Sequence, residues 1–440
     1  MTEPAAPSPF VDSFRIAAPY IHAHRGRTFV ILVGGEAVSE KSFPRLMHDV
    51  AMMHALGVRL VLVHGTRPQI ERRLKERKLP SVFVDEIRVT DAPTLSCVLD
   101  AVGAARARFE AMLSMGAANT PMAGARIRMA GGNFVTAKPV GVRKGQDYQY
   151  TGDVRRVDVE GIERQLAAGA LVLISPLGFS PTGEVFNLHS HDVARDVAVA
   201  LRADKLIGLI EGRGIDDKRN RLIPQLSPVE AEALGKSKAR FGVDVRRHLS
   251  AAAGAVREGV RRAHLVDRRR DGALLQELFT CEGIGTLITS ETYEDMRKAR
   301  VEDVAALSGL LRPMEDEGIL IRRGRERLEM ELDRFVVVER DGMIIGCAAL
   351  EVWPEEKMAE LYCVAVHPAY RRTGRGEALL DFMEARAKQA GVDRLFVLTT
   401  RTAHFFQERG FLPASVRALP KQRRAGYDKT RRSRVLIRPI

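Results

Sequence analysis

The first two thirds of the chain alternate short, continuous apolar runs with longer amphipathic stretches. An uninterrupted apolar run is typical of a strand covered on both faces, and an apolar residue every three or four positions is typical of a helix. Their regular repetition predicts an α/β fold built on a parallel sheet. The predicted strands lie at 28–33, 58–63, 170–175, 205–210 and 264–266, and the predicted helices at 43–56, 69–78, 93–115, 191–202 and 272–279.

The repetition stops between residues 285 and 295, where we place a domain boundary. After it, two β-prone runs flank Asp341-Gly342, a dipeptide typical of hairpin turns. At the other end of the chain, residues 1–12 are predicted to be disordered, and 14–23 to form a short helix that Pro19 disfavours. The later predicted elements are helices at 302–311, 322–333, 377–390 and 402–409, and strands at 335–340, 343–351, 361–366, 394–400 and 433–438.

The composition narrows the function classes. The 440 residues carry a net charge of +13, which favours an anionic partner such as nucleic acid, a phosphorylated cofactor or a dicarboxylate. Few aromatic residues lie among the basic ones, which argues against a nucleic-acid surface. The four cysteines are scattered without a C-x-x-C pair, so we expect neither disulfides nor a zinc site. No apolar run has membrane-spanning length and the N-terminus resembles no signal peptide, so we expect a cytoplasmic protein.

The segment at 371–376 combines three arginines with two glycines just before a predicted helix. Glycines allow backbone N–H groups to approach a ligand closely, and a helix N-terminus favours an anion. The segment is therefore either a pyrophosphate-binding loop or a basic turn between a strand and a helix. Turns that contain glycine also follow two strands of the first domain, at Gly34-Gly35 and His64-Gly65, at the sheet edge where ligands bind in parallel folds.

The second domain resembles the Gcn5-related acetyltransferases. Arg371-x-x-Gly374-x-Gly376 is similar to the family's loop signature, and Phe405-Phe406 before Gly410-Phe411 is similar to its second signature. The resemblance implies a mixed α/β domain that binds acetyl-CoA, with the pyrophosphate on the loop and the pantetheine along the preceding strand. The residues implied are Cys363, Val364, Ala365, Val366, Arg371, Arg372, Thr373, Gly374, Arg375 and Gly376.

The first domain resembles the amino-acid kinase family, with Gly34-Gly35 and His64-Gly65 as its phosphate-binding turns. Acetylglutamate kinases of that family carry a lysine two residues before the first turn, which neutralises the transferred phosphoryl group; this chain has Leu32 there. The asparagine-rich segment of the kinases is also altered here, at residues 187–192. Since phosphoryl transfer depends on positioned cations, we predict that this domain is not an active kinase.

A kinase-like domain followed by an acetyltransferase domain resembles the bacterial N-acetylglutamate synthase family. The resemblance implies an N-terminal arm and helix at 1–24, a regulatory arginine-binding domain of the parallel-sheet sandwich type at 25–288, and a smaller mixed α/β catalytic domain at 295–440. It implies acetyl transfer from acetyl-CoA to the α-amine of L-glutamate, the first step of arginine biosynthesis, with feedback inhibition by L-arginine. It further implies a homo-oligomer, with a ring-like hexamer expected, and no metal cofactor.

Glu360, on the strand that borders the thioester, is the candidate general base. The α-amine of glutamate is mostly ammonium at neutral pH and must lose a proton before it attacks. The alternative interpretation is a strand-end carboxylate that faces solvent. Many family members protonate the departing thiolate with a tyrosine where this chain has Phe406, so Thr399, Thr400 or a water is expected to serve instead, unless both threonines are only structural.

The substrate and effector residues follow from the resemblance. A guanidinium suits each carboxylate of glutamate, because it can donate two parallel hydrogen bonds. The implied substrate residues are Arg322 or Arg323, together with Arg431 and Ser433, and the alternative for each arginine is a solvated surface position. The implied L-arginine site comprises Tyr20, His264, Glu277 and Gly283, for which an ordinary helix end and turn are the alternative.

Three other interpretations remain open on the sequence. A bifunctional protein could keep acetylglutamate kinase activity, against which Leu32 argues. An arginine-sensing regulatory protein could carry an inert acetyltransferase domain, against which the intact loop at 371–376 argues. Nucleic-acid binding would rest on the net charge alone.

Overall fold

The structure, a computed structural model, describes residues 8–114, 127–280, 283–290, 295–340, 343–371 and 374–440. The chain divides into two compact units, Met1–Glu291 and Thr292–Ile440. The α/β class predicted from the sequence is confirmed in both: the first unit is built on a largely parallel sheet, and the second on a mixed sheet.

Helices and strands alternate through the first unit. Its helices are α1 (Pro9–His24), α2 (Gly35–Ser39), α3 (Phe43–Ala55), α4 (Arg67–Glu76), α5 (Ala92–Ser114), α6 (Val159–Ala167), α7 (Ser190–Ala200), α8 (Pro228–Gly235), α9 (Val243–Arg257) and α10 (Ala273–Phe279). Its strands are β1 (Thr28–Val33), β2 (Arg59–His64), β3 (Phe83–Val84), β4 (Ile87–Arg88), β5 (Met129–Ala130), β6 (Val135–Pro139), β7 (Val142–Arg143), β8 (Gln146–Asp147), β9 (Gly152–Val157), β10 (Leu171–Ile174), β11 (Leu177–Phe179), β12 (Val185–Asn187), β13 (Lys205–Ile210), β14 (Gln225–Leu226), β15 (Arg262–Asp267) and β16 (Thr286–Ile288).

The main sheet of the first unit has the strand order β14-β16-β15-β13-β1-β2-β10-β5 within the described residues. All neighbouring strands in it are parallel except β15 and β16. A second described sheet, β12-β11-β6-β9, lies alongside. The five predicted strands are all present, and the sheet is confirmed as the parallel core of the unit.

The central strand β1 shows why the sheet is buried on both faces. Val30 and Leu32 belong to one hydrophobic cluster, and Phe29, Ile31 and Val33 to another. Successive side chains of a strand point to opposite faces, so the two clusters are the two layers between sheet and helices. This strand has no polar face, which explains its uninterrupted apolar sequence.

The N-terminal helix is longer than predicted. The prediction of disorder up to residue 12 is wrong for residues 9–12, because α1 begins at Pro9. The Ser8 hydroxyl accepts the N–H of Val11 at 3.5 Å, and proline is well suited to the first helical position, where its missing N–H costs nothing. Pro19 lies inside the helix without ending it.

The second unit follows the predicted order of elements. Its helices are α11 (Val304–Asp316), α12 (Arg325–Met330), α13 (Arg375–Gln389), α14 (Ala403–Gln407) and α15 (Lys421–Ala425). Its strands are β17 (Asp295–Lys298), β18 (Phe335–Arg340), β19 (Met343–Trp353), β20 (Met358–Val366), β21 (Arg394–Thr399), β22 (Leu412–Ala414) and β23 (Arg434–Pro439). In the described residues these strands form one sheet, ordered β17-β18-β19-β20-β21-β23-β22.

All neighbouring strands of this sheet are antiparallel except β20 and β21, which run in parallel. The predicted turn at Asp341-Gly342 lies outside the described residues, although β18 and β19 pair as the hairpin requires. The predicted helix at 322–333 is wrong at its start, since α12 begins only at Arg325. The Glu315 carboxylate accepts the backbone N–H of Arg323 at 3.0 Å, an interaction that replaces an intrahelical bond for that group.

Candidate functional site

A cleft of about 820 Å³ opens between β20 and β21 in the second unit. The two strands pair at three positions, and the last pair joins Glu360 to Phe396. Beyond that pair the strands separate. Side chains from Leu361 to Val366 on β20, Ala365 excepted, and from Val397 to Thr399 on β21 line the opening. The cavity is therefore a fork between two neighbouring parallel strands.

A β-bulge in β20 lies within the fork. Cys363 has a φ of 50°, in the left-handed region that few non-glycine residues adopt, and its side chain is buried. The register between β19 and β20 shifts at the same level, between Cys347 and Ala349. A bulge adds a residue to one strand, bends it and increases its twist. The bulge therefore lies within the unpaired part of β20, three residues after the last pair with β21.

The two glycines of the loop before α13 are required for different reasons. Gly374 caps the helix with a φ of 77°, and among the described residues a Cβ there would approach only Glu377, at 4.0 Å. Backbone strain, rather than crowding, therefore requires glycine at this position, and the space beside it is open. A Cβ at Gly376 would lie 3.1 Å from the ring of Phe405, so this glycine is required by packing.

The loop closes one end of the cleft. Arg371 donates from Nε to the carbonyl oxygen of Val366 at 3.1 Å, and Arg375 donates from Nη1 to that of Tyr370 at 3.0 Å. The first N–H groups of any helix have no acceptor within it, and α13 begins here at the cleft. The arrangement favours an anion. Arg372 and Thr373 lie outside the described residues.

Glu360 lies at the point of the fork, immediately before the lining residue Leu361. Its side chain is 7% exposed and is held by Arg423 of α15, with Nη2 to Oε1 at 3.0 Å and Nε to Oε2 at 2.5 Å. Burial raises the pKa of the Glu360 carboxyl, and the Arg423 guanidinium opposes that shift without cancelling it. The alternative of a solvent-facing carboxylate is excluded.

A pair of hydroxyl groups lies on the β21 side of the cleft. Thr399 Oγ1 is 2.9 Å from Thr402 Oγ1 and accepts the N–H of Thr402 at 3.0 Å, and both residues line the cleft. Thr400 is exposed and lies outside the described lining. Phe406 also lines the cleft, with its ring centre 5.4 Å from that of Phe411. The structure thus brings Thr399, rather than Thr400, to the opening.

The two adjacent arginines considered for substrate binding have different surroundings. Arg322 is 78% exposed and pairs with Asp316 at 2.8 Å. Arg323 is 9% exposed, and its guanidinium lies 5.1 Å from the ring centre of Tyr362, which lines the cleft. Its Nε donates to Glu331 at 3.3 Å. Only Arg323 is therefore beside the opening.

The segment before β23 places Arg431 beside the cleft. Its Nη2 donates to the carbonyl oxygens of Gly318 at 3.0 Å and Ile319 at 2.9 Å, and Ile319 lines the cleft. Ser433 precedes β23, and its carbonyl oxygen accepts the hydroxyl of Tyr427 at 2.7 Å. The predicted run at 433–438 begins one residue later than expected, so Ser433 belongs to the turn that carries Arg431.

The four residues predicted to bind L-arginine lie around α10 in the first unit. His264 Nδ1 is 2.7 Å from Glu277 Oε1, and Glu277 Oε2 accepts the N–H groups of Ile284 at 2.7 Å and Gly285 at 2.8 Å. A Cβ at Gly283 would lie 2.7 Å from the same carboxylate, and Gly283 has a φ of 61°. Burial raises the pKa of Glu277, but the bonds from His264 and the two N–H groups outweigh it and leave that pKa lowered.

Tyr20 reaches this region from α1. It is buried in the same hydrophobic cluster as Leu278 and Phe279, which follow Glu277 on α10. The neighbouring His24 places its Nε2 2.8 Å from the carbonyl oxygen of Leu278. The first helix is thus packed directly on the helix that carries the buried carboxylate.

A second cleft, which we call the glycine-turn cleft, lies in the first unit at the carboxyl ends of β1 and β2. It is lined by Gly34, Gly35 and Gly65 together with residues of α4, α7 and α9, and its volume is only about 90 Å³. A Cβ at Gly65 would lie 2.9 Å from the backbone nitrogen of Gly35, so the two turns pack directly against each other. Leu32 is 2% exposed within the hydrophobic core and supplies no cation here.

Buried imidazoles surround this smaller cleft. His64 Nε2 lies 2.9 Å from Ser175 Oγ, and burial lowers the pKa of His64 to about 4. Burial likewise lowers the pKa of His189, which lines the cleft, to about 3. The segment at 187–192 therefore places two neutral imidazole rings, those of His189 and His191, beside Asn187 at this cleft.

Sequence reasoning missed two residues of the site, Arg423 beside Glu360 and Thr402 in the lining of the larger cleft. Arg423 pairs with Glu360 across 63 positions of the chain, and no local pattern indicates such a pair. The sequence predicts Thr402 only as the start of a helix. At a spacing of three residues, however, the hydroxyl of Thr399 can accept the N–H of Thr402. That spacing was the available signal.

Each of the two units matches a known protein family. Residues 27–267 match the amino acid kinase family, and residues 304–411 match the acetyltransferase (GNAT) family. The chain is 52% identical to an amino-acid acetyltransferase of Azotobacter vinelandii over 432 residues, which cover 98% of this chain and 99% of that one. It is also similar to the crystal structure of N-acetylglutamate synthase from Neisseria gonorrhoeae complexed with coenzyme A and L-arginine, at 38% identity, 98% and 99% coverage and a TM-score of 0.88.

The same Neisseria gonorrhoeae enzyme complexed with coenzyme A and N-acetylglutamate matches with a TM-score of 0.62 at the same identity and coverage. None of the described helices combines the length and the apolar character needed to cross a membrane.

Proposed function

Because this chain belongs to the amino-acid acetyltransferase family, we propose that it transfers the acetyl group of acetyl-CoA to the α-amine of L-glutamate, giving N-acetyl-L-glutamate and CoA. The observation that carries the proposal is the fork between β20 and β21, which opens a cleft with an anion-favouring loop at one end and Arg323 beside its wall. A relative 38% identical has been crystallised with CoA and N-acetylglutamate, the two products of this reaction.

Acetyl-CoA would bind along the separated part of β20. Past Glu360 the edge of β20 that faces β21 has no ladder partner in the described residues, so its backbone groups are available to the amides of a pantetheine arm. The pyrophosphate would lie on the loop at 371–376, where open space adjoins Gly374 and the helix N-terminus favours negative charge. Cys363, at the bulge, would lie beside the thioester as a structural residue, since burial raises the pKa of its thiol to about 12.

Glu360 is the proposed general base. An amine must be deprotonated to attack a thioester, and a carboxylate with a raised pKa accepts a proton more readily near neutral pH than an ordinary one. Because Glu360 is buried, is paired with Arg423 and lies outside the described lining of the cleft, the proton would travel through a water at the point of the fork. Arg423 is thus a positioning residue that keeps the carboxylate in one orientation.

The thiolate would be stabilised on the opposite wall. Phe406 has no proton to donate, whereas the Thr399–Thr402 hydroxyl pair lies in the lining of the cleft. One hydroxyl of the pair must donate to the other, which leaves the second proton free to point into the cleft. We propose Thr399 and Thr402 as this hydrogen-bonding pair, in place of Thr400.

Glutamate recognition requires two cationic partners, one for each carboxylate. Arg323 is proposed for one of them, because it lies beside Tyr362 of the lining. Arg431 is proposed for the other, because its bonds to the 318–319 carbonyl groups hold it at the same rim. Ser433 would act only indirectly, because it belongs to the turn that carries Arg431. Arg322 is exposed and would not contact the substrate.

The first unit is proposed as a regulatory domain that binds L-arginine as a feedback inhibitor. The Glu277 carboxylate is buried and ionised on the helix that packs against α1, and its Oε1, which contacts only His264 Nδ1 in the described residues, retains acceptor capacity for a guanidinium. The crystallised relative of 38% identity contains L-arginine. The proposed domains are the arm and helix at 1–24, the regulatory domain at 25–288 and the catalytic domain at 295–440.

The remaining expectations are also proposals. The enzyme would act in the cytoplasm at the first step of arginine biosynthesis. It would be a homo-oligomer, with a hexamer expected, joined in part by α1. Phe10, Phe14 and Ile16 of that helix are 76%, 58% and 51% exposed in the isolated chain, which is consistent with an intersubunit surface.

Thiol release from acetyl-CoA tests the proposal directly. We expect release that depends on L-glutamate and that falls when L-arginine is added. Omission of glutamate and replacement by L-aspartate, which is one methylene shorter, provide the controls. Absence of glutamate-dependent release would overturn the proposed reaction, and ADP formation from ATP with N-acetylglutamate would instead support the kinase interpretation.

A further inference from the structure

Three side chains with metal-ligating atoms meet at the glycine-turn cleft of the first unit. His191 is the second residue of α7, and Asp244 and His248 lie four residues apart on α9, so both face the same side of that helix. One ligand atom from each of the three lies within 4.8 Å of the others. His191 and Asp244 also line the cleft.

The distances within this cluster are too long for hydrogen bonds. His191 Nε2 is 3.5 Å from Asp244 Oδ1, and His248 Nε2 is 3.7 Å from Asp244 Oδ2, whereas an N–H···O bond spans about 2.7–3.2 Å. Ligand atoms of four-coordinate Zn²⁺, each about 2.0–2.1 Å from the ion, lie about 3.4 Å apart. Each imidazole is thus close to one oxygen of Asp244, at a separation nearer to that ligand-to-ligand distance than to a hydrogen bond, and the three ligand atoms lie within 4.8 Å of one another.

His191 provides an independent observation. It is 7% exposed, and within the described part of the chain neither of its ring nitrogens has a hydrogen-bond partner. Buried polar atoms are nearly always satisfied, so an imidazole with two unsatisfied nitrogens requires an explanation. An ion bound by Nε2 would supply the missing partner for that nitrogen.

We propose that His191, Asp244 and His248 bind one divalent transition-metal ion of the Zn²⁺ class. Two imidazoles and one carboxylate suit Zn²⁺, Co²⁺ or Ni²⁺, whereas Mg²⁺ and Ca²⁺ prefer oxygen ligands. Three protein ligands leave a fourth position, which faces the cleft. The ion connects α7 to α9, the two helices that cover one face of the central sheet.

The charges around the cluster define what the fourth position accepts. Arg67 and Arg247 line the same cleft and would oppose a bare cation, while Asp244 and Glu36 offset part of its charge. A small anion on the fourth ligand position would pair with both the ion and the arginines. The cleft, at about 90 Å³, has room for water or a small oxyanion but not for a nucleotide.

Equilibrium dialysis of the full-length protein tests the proposal. The protein is first treated with a chelator, and bound metal is then measured after dialysis against Zn²⁺ alone and against Mg²⁺ alone. We expect one Zn²⁺ per chain and no Mg²⁺. Co²⁺ provides a second measurement, since ligand-field absorption of a four-coordinate nitrogen and oxygen site reports the coordination directly.

Variants at the cluster decide whether the ion binds there. His191→Asn and Asp244→Asn should each weaken Zn²⁺ binding by more than the roughly 10- to 100-fold that loss of an outer-shell partner costs. His48→Asn, on α3 and outside the cleft lining, is the matched control and should bind as the parent does. Thermal unfolding without Zn²⁺ shows whether each variant is folded. Addition of Zn²⁺ should raise the Tm of the parent and of the His48→Asn control, but not the Tm of either cluster variant.

Two results would overturn the proposal. One is no Zn²⁺ bound by the parent protein at micromolar concentration. The other is Zn²⁺ and Co²⁺ binding that both cluster variants retain unchanged, which would place the ion elsewhere on the surface. The proposal does not depend on acetyl transfer, so neither result bears on the proposed reaction.

Discussion

The two clefts of this chain lie in similar surroundings and differ in what fills them. Each adjoins the ends of parallel strands, and each has glycines beside the N-terminus of a helix. The glycine-turn cleft of the first unit has a volume of about 90 Å³, and its lining includes the half-buried His189 and the buried His191. The cleft of the second unit has about 820 Å³. Similar backbone geometry thus accompanies very different room for a ligand.

The glycines show why a motif alone does not reveal this difference. In the first unit, a Cβ at Gly35 would lie 2.7 Å from the Gln69 side chain and 2.8 Å from Pro68, so glycine is needed there for packing whether or not a ligand binds. In the second unit the space beside Gly374 is open. A glycine turn can therefore persist after its ligand is lost, and free volume is the better indicator of a working site.

Loss of the proposed base should have the largest effect. Glu360→Gln keeps the shape of the side chain but cannot accept the proton, so kcat should fall by about 10²- to 10⁴-fold. Burial raises the pKa of Glu360, and a base works only when ionised, so the parent rate should fall as pH drops through a pKa above that of an ordinary glutamate. Measurement of thiol release from pH 5 to pH 9 should show this acidic limb in the parent and not in the variant.

Glu355→Gln is the control for that experiment, since Glu355 is exposed in the turn before β20. A Glu360→Gln protein with parental kcat and pH profile would remove Glu360 as base. It would also weaken the contrast between the clefts, because the larger one would then lack its proposed proton acceptor.

Replacement of Arg323 should have the next largest effect. Charge-assisted hydrogen bonds contribute about 1.5–3 kcal/mol, so Arg323→Gln should raise the KM for L-glutamate by about 10- to 100-fold, with the KM for acetyl-CoA unchanged. The control is Arg325→Gln, an 80% exposed arginine of the same segment. Equal changes in both variants would mean that general charge, not a contact in the cleft, attracts the substrate.

Sensitivity to L-arginine should depend on the first unit. Glu277→Gln removes the buried negative charge that α10 places beside His264, so the L-arginine concentration for half-inhibition should rise by about 10-fold or more. Thiol release measured across L-arginine concentrations reports this shift as a ratio of rates within each protein. Glu163→Gln, on the exposed face of α6, should respond as the parent does. Parental inhibition of Glu277→Gln would place the inhibitor elsewhere.

The buried imidazole of His64 should make the first unit sensitive to acid. Its pKa is about 4 in the folded state against 6.5 for an ordinary histidine, so the unfolded state binds more protons. The folded state with a neutral His64 therefore has its full stability above pH 6.5, and it loses stability as the pH falls from 6.5 toward 4. Between pH 7.5 and pH 5 this amounts to about 2 kcal/mol of unfolding free energy, which His64→Gln should not lose.

The single tryptophan allows the two units to be distinguished in that experiment. Trp353 lies in the second unit, so its fluorescence follows that unit, while circular dichroism follows both. Urea unfolding at the two pH values should show the difference between the parent and His64→Gln in the circular dichroism transition only. The same difference in fluorescence would contradict the assignment of the acid sensitivity to the first unit.

The order of elements and the position of the loop could be predicted because they depend on local patterns. An apolar run such as Thr28–Val33 predicts a buried strand, and the glycines of 371–376 predict an anion-binding loop, from a few consecutive residues alone. The pair of Glu360 with Arg423 could not be predicted, since it joins a strand to a helix 63 positions later. The meeting of His191 with Asp244 depends in the same way on the packing of α7 against α9.

The single extra residue of the β20 bulge bears on how such an enzyme is lost during evolution. The site depends on an irregularity of strand register at Cys363 as much as on side chains. Most substitutions leave register intact, whereas deletion of one codon near this position would remove the bulge and shift the residues of β20 that line the cleft relative to β19. Among naturally occurring lesions, in-frame deletions here should therefore inactivate the enzyme while leaving a folded protein.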